Sequence, residues 1–277
     1  MHPAEVSTQA RKMSRIQGWF SCEAAAIFAW IDEIQRRIGV TGDFFEIGCH
    51  HGRSTAFLAS LVNSPQECLN VCDLFGDQAS NVSGSGHGDR HIFERNLAHH
   101  TKNGLKLKIV QKISSQLTIE EIGTSYRFFH VDGGHNTDEA LFDLQLAAQA
   151  IVDHGVIALD DPFRAEWPGV TEAVVRFLDQ RKDFRAVCVG FNKLILARTA
   201  HVELYASEFS KTDQRTAYGL GFPWHLKTLP FHDAPLQIFY IPVYLTKSPL
   251  RRLAGKHLNT PVLGPVLRAA KSLLKRN

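Results

Sequence analysis

The sequence predicts an α/β protein, an open and mostly parallel sheet with helices on both faces. Three observations point there. Two apolar runs end in carboxylates, Arg127 to Asp132 and Gly155 to Asp161, the pattern of buried parallel strands with functional groups at their C-terminal tips. Between them Asn136 to Asp153 reads as a helix with Leu141, Leu144, Ala148 and Ile151 on one face, which makes a βαβ unit. Upstream, the short strand Asp43 to Ile47 runs into a glycine loop, Gly48-Cys49-His50-His51-Gly52, and an apolar helix reaching about Val62, an order that cradles an anion or nucleotide. Ligands of such sheets lie beyond the carboxyl ends of the strands. Asp132, His135, Asp160 and Asp161 are therefore predicted to converge on one crevice, the candidate active site.

In chain order, Ser21 caps a helix through about Ile38, where Ile27, Phe28, Ile31, Ile34 and Ile38 form a stripe and Gly39 supplies the stop. This segment, residues 1–40, reads as a helical cap over the sheet or the substrate mouth. After the first strand and glycine loop, Leu69 to Cys72 gives a second strand ending at Asp73, the position from which dinucleotide-type folds reach a ribose hydroxyl. Leu74 to Gly88, rich in Gly and Ser, is a long binding loop or lid. Arg90 to His100 is helical, Leu107 to Gln111 a third strand, and Leu117 to Ile122 a short helix. Beyond Asp161, residues 162–168 form a loop and Val170 to Leu178 a helix with Val174, Val175 and Leu178 inward. Phe184 to Phe191 and Leu194 to Ala197 then pair across Asn192-Lys193 as a two-residue hairpin. Five βα units closed by an antiparallel hairpin account for residues 41–200. In the extension 201–277, Leu236 to Tyr244 reads as a strand and Pro261 to Arg276 as an amphipathic basic helix.

The chain of 277 residues is long enough for a substantial core, and its five cysteines show no CxxC pair or small-scaffold spacing. A reduced, cytoplasmic setting suits them. No run has the length of a spanning helix, and Met1 to Gln17 lacks the apolar centre of a signal peptide. The formal charge of +3 hides an asymmetry, because from Ala234 onward there are eight basic residues and no acidic one. The remainder holds 23 basic against 28 acidic residues, which gives nucleic-acid binding little support. The tail helix has two readings, peripheral contact with an anionic membrane or packing on its own domain or in a homo-oligomer.

The glycine loop is G-x-x-x-G, an incomplete dinucleotide fingerprint, and a plain structural turn is its alternative. Glu46 before it would repel a pyrophosphate yet attract a sulfonium, which favours S-adenosylmethionine over NAD. Three carboxylates at neighbouring strand tips, Asp132, Asp160 and Asp161, require a neutralising cation or strong donors, and Mg²⁺ meets this with oxygen ligands. The alternative is that Asp161 only caps the next turn. Gly133 and Gly134 bring His135 back beside Asp132, where it suits a general base acting on an alcohol. His130 and Asp132 also form an H-x-D pattern like that of iron oxygenases, though those usually lie in antiparallel folds. Of the paired histidines, His51 in the glycine loop is the one placed to touch a cofactor.

With Phe45-Glu46-Ile47-Gly48-x-x-x-Gly52-Arg53-Ser54-Thr55, Cys72-Asp73-Leu74-Phe75, and Phe129-His130-Val131-Asp132-Gly133-Gly134-His135 ahead of Asp160-Asp161, the chain resembles class I S-adenosylmethionine-dependent methyltransferases. More narrowly it resembles metal-dependent sugar O-methyltransferases of the macrocin and mycinamicin type, over about Thr41 to Thr199. The resemblance implies a Rossmann-like, seven-stranded sheet whose last strand is antiparallel. It implies S-adenosylmethionine over the glycine loop, with Glu46, Gly48, His51, Gly52, Ser54, Asp73, Ser114 and Asp132 as candidate contacts. It further implies Mg²⁺ or another divalent cation on Asp132, Asp160 and Asp161, His135 as the base, and a sugar or glycoconjugate acceptor. Catechol-type methyltransferases are similar but carry Lys and Asn at the positions of His135 and Asp161. A phenol-methylating enzyme and a non-catalytic nucleotide-binding scaffold stand as the alternatives.

Overall fold

Side-chain alternation decides which residues of each strand meet which layer of helices. In the computed structural model, which describes residues 1–242 apart from 83, 85, 102, 103 and 220–223, β1 (Asp43–Ile47) sends Phe44 to one face and Phe45 and Ile47 to the other. Parallel to it run β2 (Cys68–Asp73), β3 (Lys106–Gln111), β4 (Tyr126–Val131) and β5 (Ile151–Asp160). α3 (Arg53–Leu61) and α4 (Arg90–His100) return the chain between the first three strands, the one-turn α5 (Ile119–Ile122) precedes β4, and α6 (Thr137–Ala150) leads to β5. After α7 (Pro168–Gln180), the hairpin of β6 (Phe184–Gly190) and β7 (Lys193–Arg198) inserts β7 antiparallel beside β5. The mixed α/β sheet predicted from sequence is thus present.

Its strand count is nine rather than seven. The order is β3-β2-β1-β4-β5-β7-β6-β9-β8, because β8 (His225–Phe231) and β9 (Ala234–Tyr240) form a hairpin whose β9 lies parallel to β6. That pairing covers the backbone edge β6 would otherwise expose. On one face α2 (Cys22–Arg37), capped by Ser21 Oγ on Ala24 N, packs with α1 (Pro3–Met13), α3, α8 (Val202–Ser210) and α9 (Thr212–Tyr218); α6 and α7 cover the other. Arg127 at the start of β4 donates to Asp32 of α2 at 2.8 Å, and both are fully buried, so the cap is anchored to the sheet by charge as well as by apolar area.

Local departures from the sequence reading have simple causes. Ile151 opens β5 opposite Tyr126 instead of ending the helix, as a β-branched Ile-Val pair favours. Val175 is exposed at 38%, since Val170, Ala173, Val174, Phe177 and Leu178 already fill the inward stripe of α7. The hairpin turns on Phe191 and Asn192, with φ of 51° and 67°, one residue earlier than expected. That shift makes Lys193 the first residue of a buried strand. No helix among the described residues is long and apolar enough to cross a membrane. The basic tail helix read from sequence lies outside the described residues.

Candidate active site

The C-terminal ends of β1, β2, β4 and β5 open on one cavity of about 450 Å³. At one end β1 runs into Gly48, which has φ of 82°, and a methyl there would stand 1.8 Å from the Asp132 carbonyl oxygen. Glycine lets this turn approach the tip of β4 directly. Ser54 on the first turn of α3 and Ser114 after β3 also face the cavity. Asp73, at the tip of β2, accepts His50 N–H at 2.7 Å and Phe75 N–H at 2.6 Å. Burial pushes its pKa up, and those two amides act in the opposite direction. Gly48, Ser54, Asp73, Ser114 and Asp132, five of the eight candidate cofactor contacts, therefore line one space.

Three predicted cofactor contacts do not line it. Glu46 shares the sheet face of Phe44, so it points under the loop into the layer of α2 and α3. It is fully buried, accepts the Thr55 hydroxyl, and lies 2.9 Å from His130 Nδ1. From there its carboxylate does not face the cavity, so it does not attract a sulfonium directly as its place at the strand tip suggests. Gly52, the N-cap of α3 with φ of 88°, faces α4 instead, where a methyl would meet Leu97 at 2.5 Å. His51 turns away from the cavity while its carbonyl accepts from Asn96 Nδ2 at 2.8 Å, and His50 takes the lining position against the exposed Trp19 ring, 5.3 Å away.

The other end holds the acids. Asp132 and Asp160 are in contact, and burial followed by the neighbouring Asp160 raises the pKa of Asp132 well above the carboxylate range. Asp160 Oδ1 accepts Asp161 N–H at 2.9 Å and Asn192 Nδ2 at 2.8 Å, and forms an ion pair with Lys193 Nζ at 2.7 Å. Lys193 is 1% exposed. Asp161 has φ of 56° and turns aside: Oδ2 lies 3.1 Å from His135 Nε2, and Oδ1 accepts from Asn192 and, at 3.3 Å, from Arg164. Although burial pushes its pKa up, His135, Asn192 and Arg164 bring it down to about 2. The His135 ring stacks on Trp167 with centroids 4.3 Å apart. The four residues predicted to converge do so, but in two subsets, Asp132 with Asp160 and His135 with Asp161.

Residues 45–162 match the family model described as "Methyltransferase domain". This segment is therefore similar to methyltransferase domains. The chain is similar to the solved structure of the O-methyltransferase NovP, at 12% identity and a TM-score of 0.55, with 65% of this chain and 81% of that chain covered. It is also similar to the SAH-bound Podospora anserina methyltransferase PaMTH1, at 12% identity and a TM-score of 0.50, over 70% of this chain and 86% of that one. At such identity the likeness concerns the fold. No curated protein matches the chain.

The candidate site contains residues the sequence reading passed over. Lys193 and Asn192 looked like turn residues, and only the register of β7 carries them to Asp160. Gln17 to Phe20, placed by the sequence only within the helical cap of residues 1–40, lies along the cavity, as do Arg164 and Trp167 of the loop after β5. Cys49 and Cys72 line it too, but burial raises both thiols, Cys72 to about 12, so neither supplies a thiolate. Beneath the floor, Asp143 of α6 is fully buried, and burial raises its pKa to about 7 although the Ser114 hydroxyl acts in the opposite direction.

Proposed function

We propose that this chain is a class I methyltransferase, which transfers the methyl group of S-adenosylmethionine to a hydroxyl of a sugar or glycoconjugate. The observation that carries the reading is the placement of His135, held 3.1 Å from Asp161, in the cavity that also holds Asp73 and the Gly48 turn. Asp73 takes a ribose hydroxyl of the donor, with Gly48, Ser54 and Ser114 around it. The acceptor lies toward Asp132, Asp160 and Trp167. His135 removes the hydroxyl proton, and Asp161 stabilises the imidazolium that results. The oxygen then bonds to the methyl carbon as the carbon–sulfur bond breaks, leaving S-adenosylhomocysteine. Holding both reactants in line lowers the barrier by removing the entropic cost of their encounter.

The residues present fit a divalent cation, since the half-buried carboxylate of Asp132 touches the buried one of Asp160 and a neighbouring imidazole nitrogen, His130 Nε2, is buried without a hydrogen-bond partner among the described residues. Asp132 and Asp160 would hold it; the resemblance makes it Mg²⁺ and adds Asp161. When bound, such an ion makes an adjacent hydroxyl more acidic. His135 and Asp161 occupy the positions where catechol-type enzymes carry Lys and Asn, which supports an aliphatic hydroxyl over a phenol. The basic tail fits a lipid-linked acceptor at an anionic membrane surface.

Methyl transfer from labelled S-adenosylmethionine to a panel of nucleotide-linked sugars and catechols, with and without chelator, tests the reading. Label on a sugar, lost on chelation, is expected. Label on catechols alone overturns the acceptor, and full rate under chelation overturns the metal.

A further inference from the structure

We infer that the cation site of this cluster is a mixed nitrogen–oxygen site formed by His130, Asp132 and Asp160, suited to an ion such as Mn²⁺ in preference to Mg²⁺. The inference rests on the reading of the acid pair as a cation site given above, and it changes both the ligand set and the ion.

Geometry places an imidazole nitrogen where the resemblance places a carboxylate. One donor atom each from His130, Asp132 and Asp160 lies within 4.8 Å of the others, so little movement would bring them onto one ion. His130 is fully buried on β4, with Nδ1 2.9 Å from Glu46 Oε1. A buried carboxylate at that distance holds the proton on Nδ1, which leaves the Nε2 lone pair available, and Nε2 is buried with no hydrogen-bond partner among the described residues. Glu46 also accepts the Thr55 hydroxyl, so the carboxylate behind the ring is itself fixed. A carboxylate, an imidazole and an open ring nitrogen in series is how metal-binding histidines are oriented and made more basic. An orphaned buried nitrogen is otherwise a cost to the fold.

The remaining donors agree. Asp160 Oδ1 is engaged by Asp161 N–H, Asn192 and Lys193, and the Asp160 carboxyl also meets that of Asp132. Asp161 is turned away by its positive φ, and both its oxygens are engaged by His135, Asn192 and Arg164. One imidazole with two carboxylates suits Mn²⁺, Fe²⁺, Co²⁺ or Zn²⁺, while Mg²⁺ prefers an all-oxygen shell. Lys193 strengthens that preference. Its ammonium already neutralises one charge of the acid pair, so an ion bound by charge alone gains less here than one that also takes the imidazole nitrogen.

Pulsed electron paramagnetic resonance of the full chain loaded with Mn²⁺, without donor or acceptor, reads the ligand set independently of turnover. Directly bound imidazole gives ¹⁴N modulation. The expected result is modulation that persists in His135→Ala and Asp161→Asn and disappears in His130→Gln, with Mn²⁺ binding at least tenfold tighter than Mg²⁺ in calorimetry. Should His130→Gln fail to fold, the wild-type and His135→Ala spectra still decide. No modulation in wild type, modulation lost in His135→Ala, loss of Mn²⁺ binding in Asp161→Asn, or failure to bind either ion overturns the assignment. A chain that binds Mn²⁺ through His130 yet methylates no sugar leaves it standing and removes only the proposed acceptor.

Discussion

Replacing Lys193 by Met tests the electrostatics of the site most directly. The two side chains are similar in length, and Lys193 is 1% exposed, so the substitution removes a buried ammonium while largely keeping the packing. The ammonium pairs with Asp160 at 2.7 Å, and Asp160 touches Asp132. Removing one partner of a buried pair leaves an uncompensated charge, at about 3–5 kcal/mol. The lower end applies where Asp132 takes up a proton in response. At roughly 2–4 °C per kcal/mol for a domain of this size, the melting temperature in chelator should fall by about 6–20 °C. A divalent ion should then restore more stability to the variant than it adds to the wild type, because it replaces the missing charge; an ion at a hundred times its dissociation constant contributes about 2.7 kcal/mol. Differential scanning calorimetry of both proteins, in chelator and in millimolar Mn²⁺, reads this out. If Lys193→Met melts with the wild type in chelator and gains nothing extra from the ion, the acid pair is not an uncompensated charge and the reasoning fails.

Asp73→Ala should weaken S-adenosylmethionine binding by about 1.5–3 kcal/mol, the loss of a hydrogen bond to a charged group, and unchanged affinity in calorimetry removes Asp73 from the donor site. His135→Ala should lower kcat by roughly 10²–10⁴-fold with S-adenosylmethionine affinity kept; a variant retaining most of its turnover is not missing its base. Asp143 is an acid raised from 3.8 to about 7, so the fold is destabilised progressively as pH rises from about 4 to 7, with the penalty complete above that. Asp143→Asn should therefore raise the melting temperature at pH 8 and leave it nearly unchanged at pH 4, and equal shifts at both pH values contradict the assignment. Asp161 has the opposite sign: held at about 2, it contributes stability that is present above pH 4 and lost as pH falls through 2, and Asp161→Asn should lose that acid-limb dependence in melts over this range. The full chain should co-sediment with anionic vesicles in low salt and release in high salt, since each basic tail residue adds about 1 kcal/mol near such a surface; binding retained by a chain ending at residue 248 assigns the contact elsewhere.

The sequence by itself determined the parallel sheet, the succession of its first seven strands along the chain and the end at which the site lies. These follow from local rules: apolar runs closed by carboxylates, helices at a spacing of 3.6 residues, Ser21 and Gly39 as caps, and glycines at the β1 turn. The convergence of Asp132, His135, Asp160 and Asp161 was legible for the same reason, because parallel strands align their C-terminal tips whatever their partners are. Tertiary structure decided what strand order alone leaves open. Glu46 reads as a tip residue, yet alternation with Phe44 and the packing of α3 turn it beneath the loop onto His130. Lys193 reads as part of a turn, but placing that turn on Phe191 and Asn192 puts the lysine opposite Asp160 in the register of β7. Asp160 and Asp161 are adjacent in sequence and part company because Asp161 adopts a positive φ, which sends one carboxylate to Asp132 and the other to His135. A motif specifies which groups reach an edge of the sheet. Which oxygen faces which partner depends on register and on single backbone torsions, and those are settled by contacts between residues far apart in the chain.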